Sequence, residues 1–180
     1  METKVHKVFV SYHHGNDQFY RDEFEKILKD SGISIVKSVQ LGDIDPGLKT
    51  ETVRQKIRDE YLRDSTVTVV LVGKDTWSRK HVDWEIGSSI RHTEYNPRSG
   101  LLGILLPTYP LFKENKYDPH TIPPRLFYNL KNDFAKIYSW NTNPATLQNW
   151  IHEAFERRNK ILPDNSYDSF VNNRPGDQWQ

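Results

Sequence analysis

No segment limits the fold of this chain more than the six residues Val67–Val72, VTVVLV. They form its strongest β-branched run, with no polar alternation that would turn one face to water, so they predict a strand central in a sheet. Shorter apolar runs flank it. Lys7–Tyr12 (KVFVSY) and Ile33–Val36 (ISIV) precede it, Leu101–Leu106 (LLGILL) follows, and Phe134–Trp140 holds a fifth.

Between these runs the apolar period changes from strand to helix. Phe19, Tyr20, Phe24, Ile27 and Leu28 form one stripe, with Asp17 placed to cap it and Ser31-Gly32 to stop it. Val53, Ile57 and Tyr61 form a second, and Val82, Ile86 and Ile90 a third. Leu147, Ile151, Ala154 and Phe155 form a fourth behind the cap-and-proline start Asn143-Pro144. Strands alternating with helices imply right-handed crossovers and a parallel sheet. The fold class expected is therefore α/β: a flavodoxin-like, doubly wound parallel sheet of about five strands, order 2-1-3-4-5, with helices on both faces.

The main domain is expected over 1–160, with 161–180 as a C-terminal appendage rich in Asp, Asn, Pro and Gly. That appendage is either packed through Tyr167, Phe170 or Trp179 or mobile. The segment Pro107–Pro124 shows no clear period and is expected as a long surface loop. Ligands of such sheets sit beyond the carboxyl ends of the strands, at the switch point between strands 1 and 3. This rule selects the loop after Tyr12, the long loop Val39–Lys49, and the stretch from Gly73 into the helix of Glu85.

Composition removes several chemistries. With 25 basic and 24 acidic residues among 180, net charge is only +1, so no field draws the chain to nucleic acid or an anionic membrane. No run approaches spanning length and Met1–Lys7 lacks a secretory apolar stretch, so a cytoplasmic protein is expected. Cysteine is absent, which excludes disulfides and thiol chemistry. The seven histidines show no H-x-x-x-H pairing, and no metal site is expected from spacing. Dinucleotide and P-loop glycine motifs, nucleophile-elbow glycines and the acidic pair of a phospho-receiver are likewise missing.

Two segments remain. Glu85, in Trp84-Glu85-Ile86, lies one position off the apolar face of its helix, where an acid gains from the helix dipole whatever its purpose. The loop Ser11-Tyr12-His13-His14-Gly15-Asn16-Asp17 offers hydroxyls, imidazoles and helix N-terminal amides suited to ribose and phosphate, or makes an ordinary capped turn.

Two blocks carry a resemblance. Lys7-Val8-Phe9-Val10-Ser11-Tyr12 resembles the first strand of TIR domains. Ser78-Arg79-Lys80-His81-Val82-Asp83-Trp84-Glu85-Ile86 resembles their strand-to-helix motif, which ends in a glutamate followed by an aliphatic residue. Together they resemble the TIR-like branch of bacterial Thoeris antiphage proteins, over roughly Val5 to Leu106. The resemblance implies Glu85 as the catalytic carboxylate and Ser11, Tyr12 and His13 as the nucleotide-facing loop. His14, Trp77, His81 and Trp84 complete the expected substrate-binding set. His81 stands where many TIR motifs carry Trp.

The implied activity is cleavage of NAD, as a substrate and not a cofactor. Nicotinamide would be released and an ADP-ribose-derived messenger, linear or cyclic, produced in antiphage defence. Nicotinamide leaves its cationic linkage as a neutral molecule, so one carboxylate can suffice where ordinary glycosidases need two. Expected partners are NAD, further copies of the chain on activation, and a downstream effector that senses the messenger. The rival reading is a non-catalytic TIR-like interaction module, for which the Val39–Lys49 loop would be a docking surface.

Overall fold

A computed structural model describes residues 6–36, 49–111 and 116–180; the expected 39–49 loop lies outside these apart from Lys49. Five strands form one sheet: β1 (Lys7–Ser11), β2 (Ser34–Val36), β3 (Val67–Val72), β4 (Gly100–Leu105) and β5 (Ala135–Ser139). Every pairing is parallel and the order is β2-β1-β3-β4-β5, as the alternation of periods predicts. The fully buried β3 sets Val70 opposite Ser11 of β1 and Val72 opposite Leu105 of β4. The strand order reverses between β1 and β3, the switch point at which ligands of such sheets bind.

Helices cover both faces. On one, α1 (His14–Leu28) and α5 (Pro144–Arg157) pack Phe24, Leu28, Leu147 and Ile151 onto Val8, Val10, Val69 and Leu102. Gly100 lets α5 approach this closely: a Cβ there would stand 2.3 Å from the Ala154 carbonyl oxygen. On the other face lie α2 (Thr50–Lys56), α3 (Lys80–Ser89) and α4 (Pro124–Lys131). Here Val82 and Ile86 of α3 and Leu126 of α4 meet Val70, Val72 and Leu101, while Val53 and Ile57 cover Phe9.

Four local features differ from expectation. Asp17 does not cap α1: the side chain of His13 does, accepting from the Asn16 amide, and Asp17 is buried inside the first turns. Phe19 is not part of the buried stripe but 65% exposed. The second helix ends in a π turn, Ile57–Tyr61, closed by the Leu62 amide on the Ile57 carbonyl at 2.9 Å. The segment Pro107–Pro124 is not all loop, since a 3-10 turn, Pro119–Thr121, lies within it and α4 begins at its last residue with proline at the helix start.

α4 hides from a hydrophobic period because its buried face carries Arg125 and Asn129 beside Leu126. Arg125 forms a fully enclosed ion pair with Asp83 of α3, Nε to Oδ1 at 3.0 Å, and also donates to the Tyr167 carbonyl at 2.7 Å. Asn129 exchanges bonds of 2.8 Å with the backbone of Asp164. These polar residues dock the C-terminal segment, which is packed although it has no helix or strand after α5. Phe170 and Trp179 are buried; the Phe170 amide donates to Asp83 Oδ2 and the Trp179 indole to the Ile122 carbonyl. Among the described residues, no helix is long and apolar enough to cross a membrane.

Candidate functional site

The site is assembled from the end of β1, the start of α1, and α3. Beyond β3 the chain turns at Gly73, whose amide donates to Thr76 Oγ1 at 2.8 Å, and a 3-10 turn (Thr76–Ser78) leads it into α3. On α3, His81, Glu85 and Ser89 recur at i, i+4 and i+8, so they share one stripe beside the apolar stripe of Val82, Ile86 and Ile90. That polar stripe meets polar positions on the sheet. Ser11 of β1 donates to Glu85 Oε2 at 2.5 Å, and the hydroxyls of Ser89 and Thr68 of β3 lie 2.7 Å apart.

Glu85 lies at the middle of this arrangement. It is 0% exposed, and its second oxygen, Oε1, has no hydrogen-bond partner among the described residues. Burial pushes its pKa up to about 8, opposed by the Ser11 hydrogen bond. A carboxyl with one oxygen fixed and the other unpartnered is costly to fold and available for chemistry.

Three rings are grouped beside it. His81 is buried, and its Nε2 lies 2.8 Å from the Tyr12 carbonyl. A carbonyl only accepts, so Nε2 carries the proton and Nδ1 keeps its lone pair. Burial lowers the His81 pKa to about 4, leaving the ring neutral at physiological pH. His14 lies between Tyr12 and His81, with ring centroids 4.5 Å and 4.7 Å away. Its pKa is lowered, by burial first and then by His13 and Arg79, and its Nε2 is buried without a partner among the described residues. Tyr12 is itself buried, its hydroxyl donating to Gln18 Oε1 at 2.6 Å. His13 stands at the rim, where burial, followed by Arg79, lowers its pKa.

The expected set thus divides. Ser11, Tyr12, His14, His81 and Glu85 come together, with His13 beside them as the α1 cap. Trp77 is 1% exposed and enclosed in the interior. Trp84 points to the C-terminal segment: its indole donates to the Phe170 carbonyl at 2.8 Å, and Lys80 sits over its ring at 4.6 Å. Asp17 was not among the expected site residues. It is buried against Gly73, where a Cβ would lie 2.2 Å from Asp17 Oδ2; Thr108 donates to the other oxygen at 2.8 Å, and burial raises its pKa. Its place at the first turn of a helix suggested capping and masked this position at the strand ends.

Sequence comparison gives a second line of support. No individually curated protein matches the chain. The family model described as Thoeris protein ThsB, TIR-like domain, matches residues 9–110, which take in every candidate site residue from Ser11 to Glu85. With more than half its length matched and the sheet order in agreement, the chain belongs to this TIR-like family of Thoeris antiphage defence.

Proposed function

We propose that the chain cleaves NAD at the nicotinamide–ribose bond with Glu85 as the catalytic carboxylate. The observation that carries the reading is the enclosed Glu85, oriented by Ser11 and left with one unpartnered oxygen at the sheet's switch point. In this role the ionised carboxylate holds ribose hydroxyls and stabilises positive charge that develops on the sugar as neutral nicotinamide departs. Ser11 fixes the carboxylate's rotation. His14 and Tyr12 offer ring surface and polar edges to the nucleotide.

Ionisation requires help, because burial favours the neutral acid. The pyridinium of bound NAD supplies a positive charge that lowers the cost of ionising Glu85. Since Glu85 has no exposed surface, NAD reaches it only after neighbouring residues move, which suits an enzyme switched on by self-association in the cytoplasm. Water, or a nucleophilic atom of the nucleotide itself, then bonds to the ribose carbon that nicotinamide has left, giving a linear or cyclic ADP-ribose-derived messenger for a downstream effector.

The test is nicotinamide release from NAD by concentrated full-length protein beside Glu85→Gln. Release should fall at least about a hundredfold in the variant. In the wild type, kcat/KM should rise with pH and level off above about 8, as the free enzyme's acid ionises. Undiminished release by Glu85→Gln removes this carboxyl from the mechanism.

A further inference from the structure

The fold completes a ligand set of which the sequence shows only the i, i+4 pair His81 and Glu85. One ligand atom each from His14, His81 and Glu85 lies within 4.8 Å of the other two. His14 belongs to α1 and the other two to α3, so the set exists only once these helices meet beyond the end of β1.

Three further observations point the same way. His14 Nε2 and Glu85 Oε1 are both buried without a hydrogen-bond partner among the described residues. Two unsatisfied polar atoms on different elements of one site are expensive unless something joins them. The Tyr12 carbonyl fixes His81 with Nε2 protonated, which leaves Nδ1 as the basic nitrogen. A backbone carbonyl holding the far N–H of an imidazole is the usual support of a metal-bound histidine. Ser11 holds Glu85 Oε2, the same support for a ligating carboxylate.

We propose that His14, His81 and Glu85 form a binding site for a divalent transition-metal ion, with zinc the best fit. Two imidazoles and one carboxylate are a ligand set zinc takes tetrahedrally, with the fourth position left for water or an anion. Calcium and magnesium are disfavoured, since they prefer oxygen ligands. The ion engages the carboxyl that NAD cleavage needs. Resting on the catalytic reading above, a second consequence is that metal-bound protein does not turn over NAD, and that chelation releases it.

Metal binding is measured first, without NAD. Metal-free full-length protein is titrated with Co2+, followed by the visible absorption of four-coordinate cobalt, and then back-titrated with Zn2+. One Co2+ per chain should bind, with zinc displacing it. His14→Ala, His81→Ala and the near-isosteric Glu85→Gln should each weaken binding about tenfold or more, while His152→Ala, at the separate His6–His152 pair, should not. Circular dichroism establishes that each variant is folded, and Glu85→Gln keeps the test decisive should a histidine variant fail to fold. Absence of saturable Co2+ and Zn2+ binding overturns the proposal, as does equal affinity in folded Glu85→Gln. Saturable binding that leaves NAD cleavage unchanged contradicts the shared-carboxyl consequence, and binding by a protein with no NAD cleavage after chelation sustains the site while removing the catalytic reading.

Discussion

Glu85 couples folding to pH through one proton. Burial lifts its pKa from an ordinary 4.5 to about 8, so between those values the folded chain holds a proton that the unfolded chain has released. The stability tied to that proton is fully present below about 4.5, falls as pH rises through the window, and is lost above about 8. Glu85→Gln removes this dependence. Denaturant unfolding should find the variant more stable than wild type by about 2–4 kcal/mol at pH 8, with the difference shrinking towards zero near pH 4. His81 has the opposite sign: its lowered pKa means that stability is lost as pH falls from about 6.5 towards about 4. His81→Asn should therefore flatten the acid limb of a stability–pH profile, and an unchanged limb would place the titrating group elsewhere.

Among the secondary-structure elements, α3 divides three tasks among its residues. Val82, Ile86 and Ile90 pack on the sheet, the line through His81, Glu85 and Ser89 builds the site, and Asp83 and Trp84 hold the C-terminal segment. Removing one member of the enclosed Asp83–Arg125 pair strands the other. Asp83→Ala should cost about 3–5 kcal/mol in denaturant unfolding, more than loss of an exposed ion pair. Gly100→Ala should be damaging for a different reason, as its methyl meets α5 backbone and not a side chain that can rotate; a loss of about 1–3 kcal/mol is expected from the same measurement. The apolar stripe of α3 is legible in the sequence because its spacing matches a helical turn. α4 is not, because Arg125 and Asn129 are buried by partners that come from distant parts of the chain. The site follows the same rule. Glu85 is legible from its place after the central strand, whereas its Ser11 bond and the approach of His14 to His81 depend on contacts between elements.

Across the full chain, strand order follows from the alternation of periods, since apolar runs joined by helical crossovers leave few ways to cover a parallel sheet. The C-terminal segment is only partly legible: its aromatics mark Phe170 and Trp179 as candidate anchors, and both are buried, but nothing in its polar composition announces the backbone groups that satisfy Arg125 and Asn129. Deleting 162–180 should therefore lower the thermal midpoint by about 10 °C or more, measured by circular dichroism; an unchanged midpoint would make the segment an ornament on an independent domain. The proposed NAD cleavage turns on Glu85, and nicotinamide released from NAD by wild type and Glu85→Gln at matched high concentration decides it. Release by the wild type alone is the expected result, and release at equal rates by both proteins would refute the catalytic role of this carboxyl.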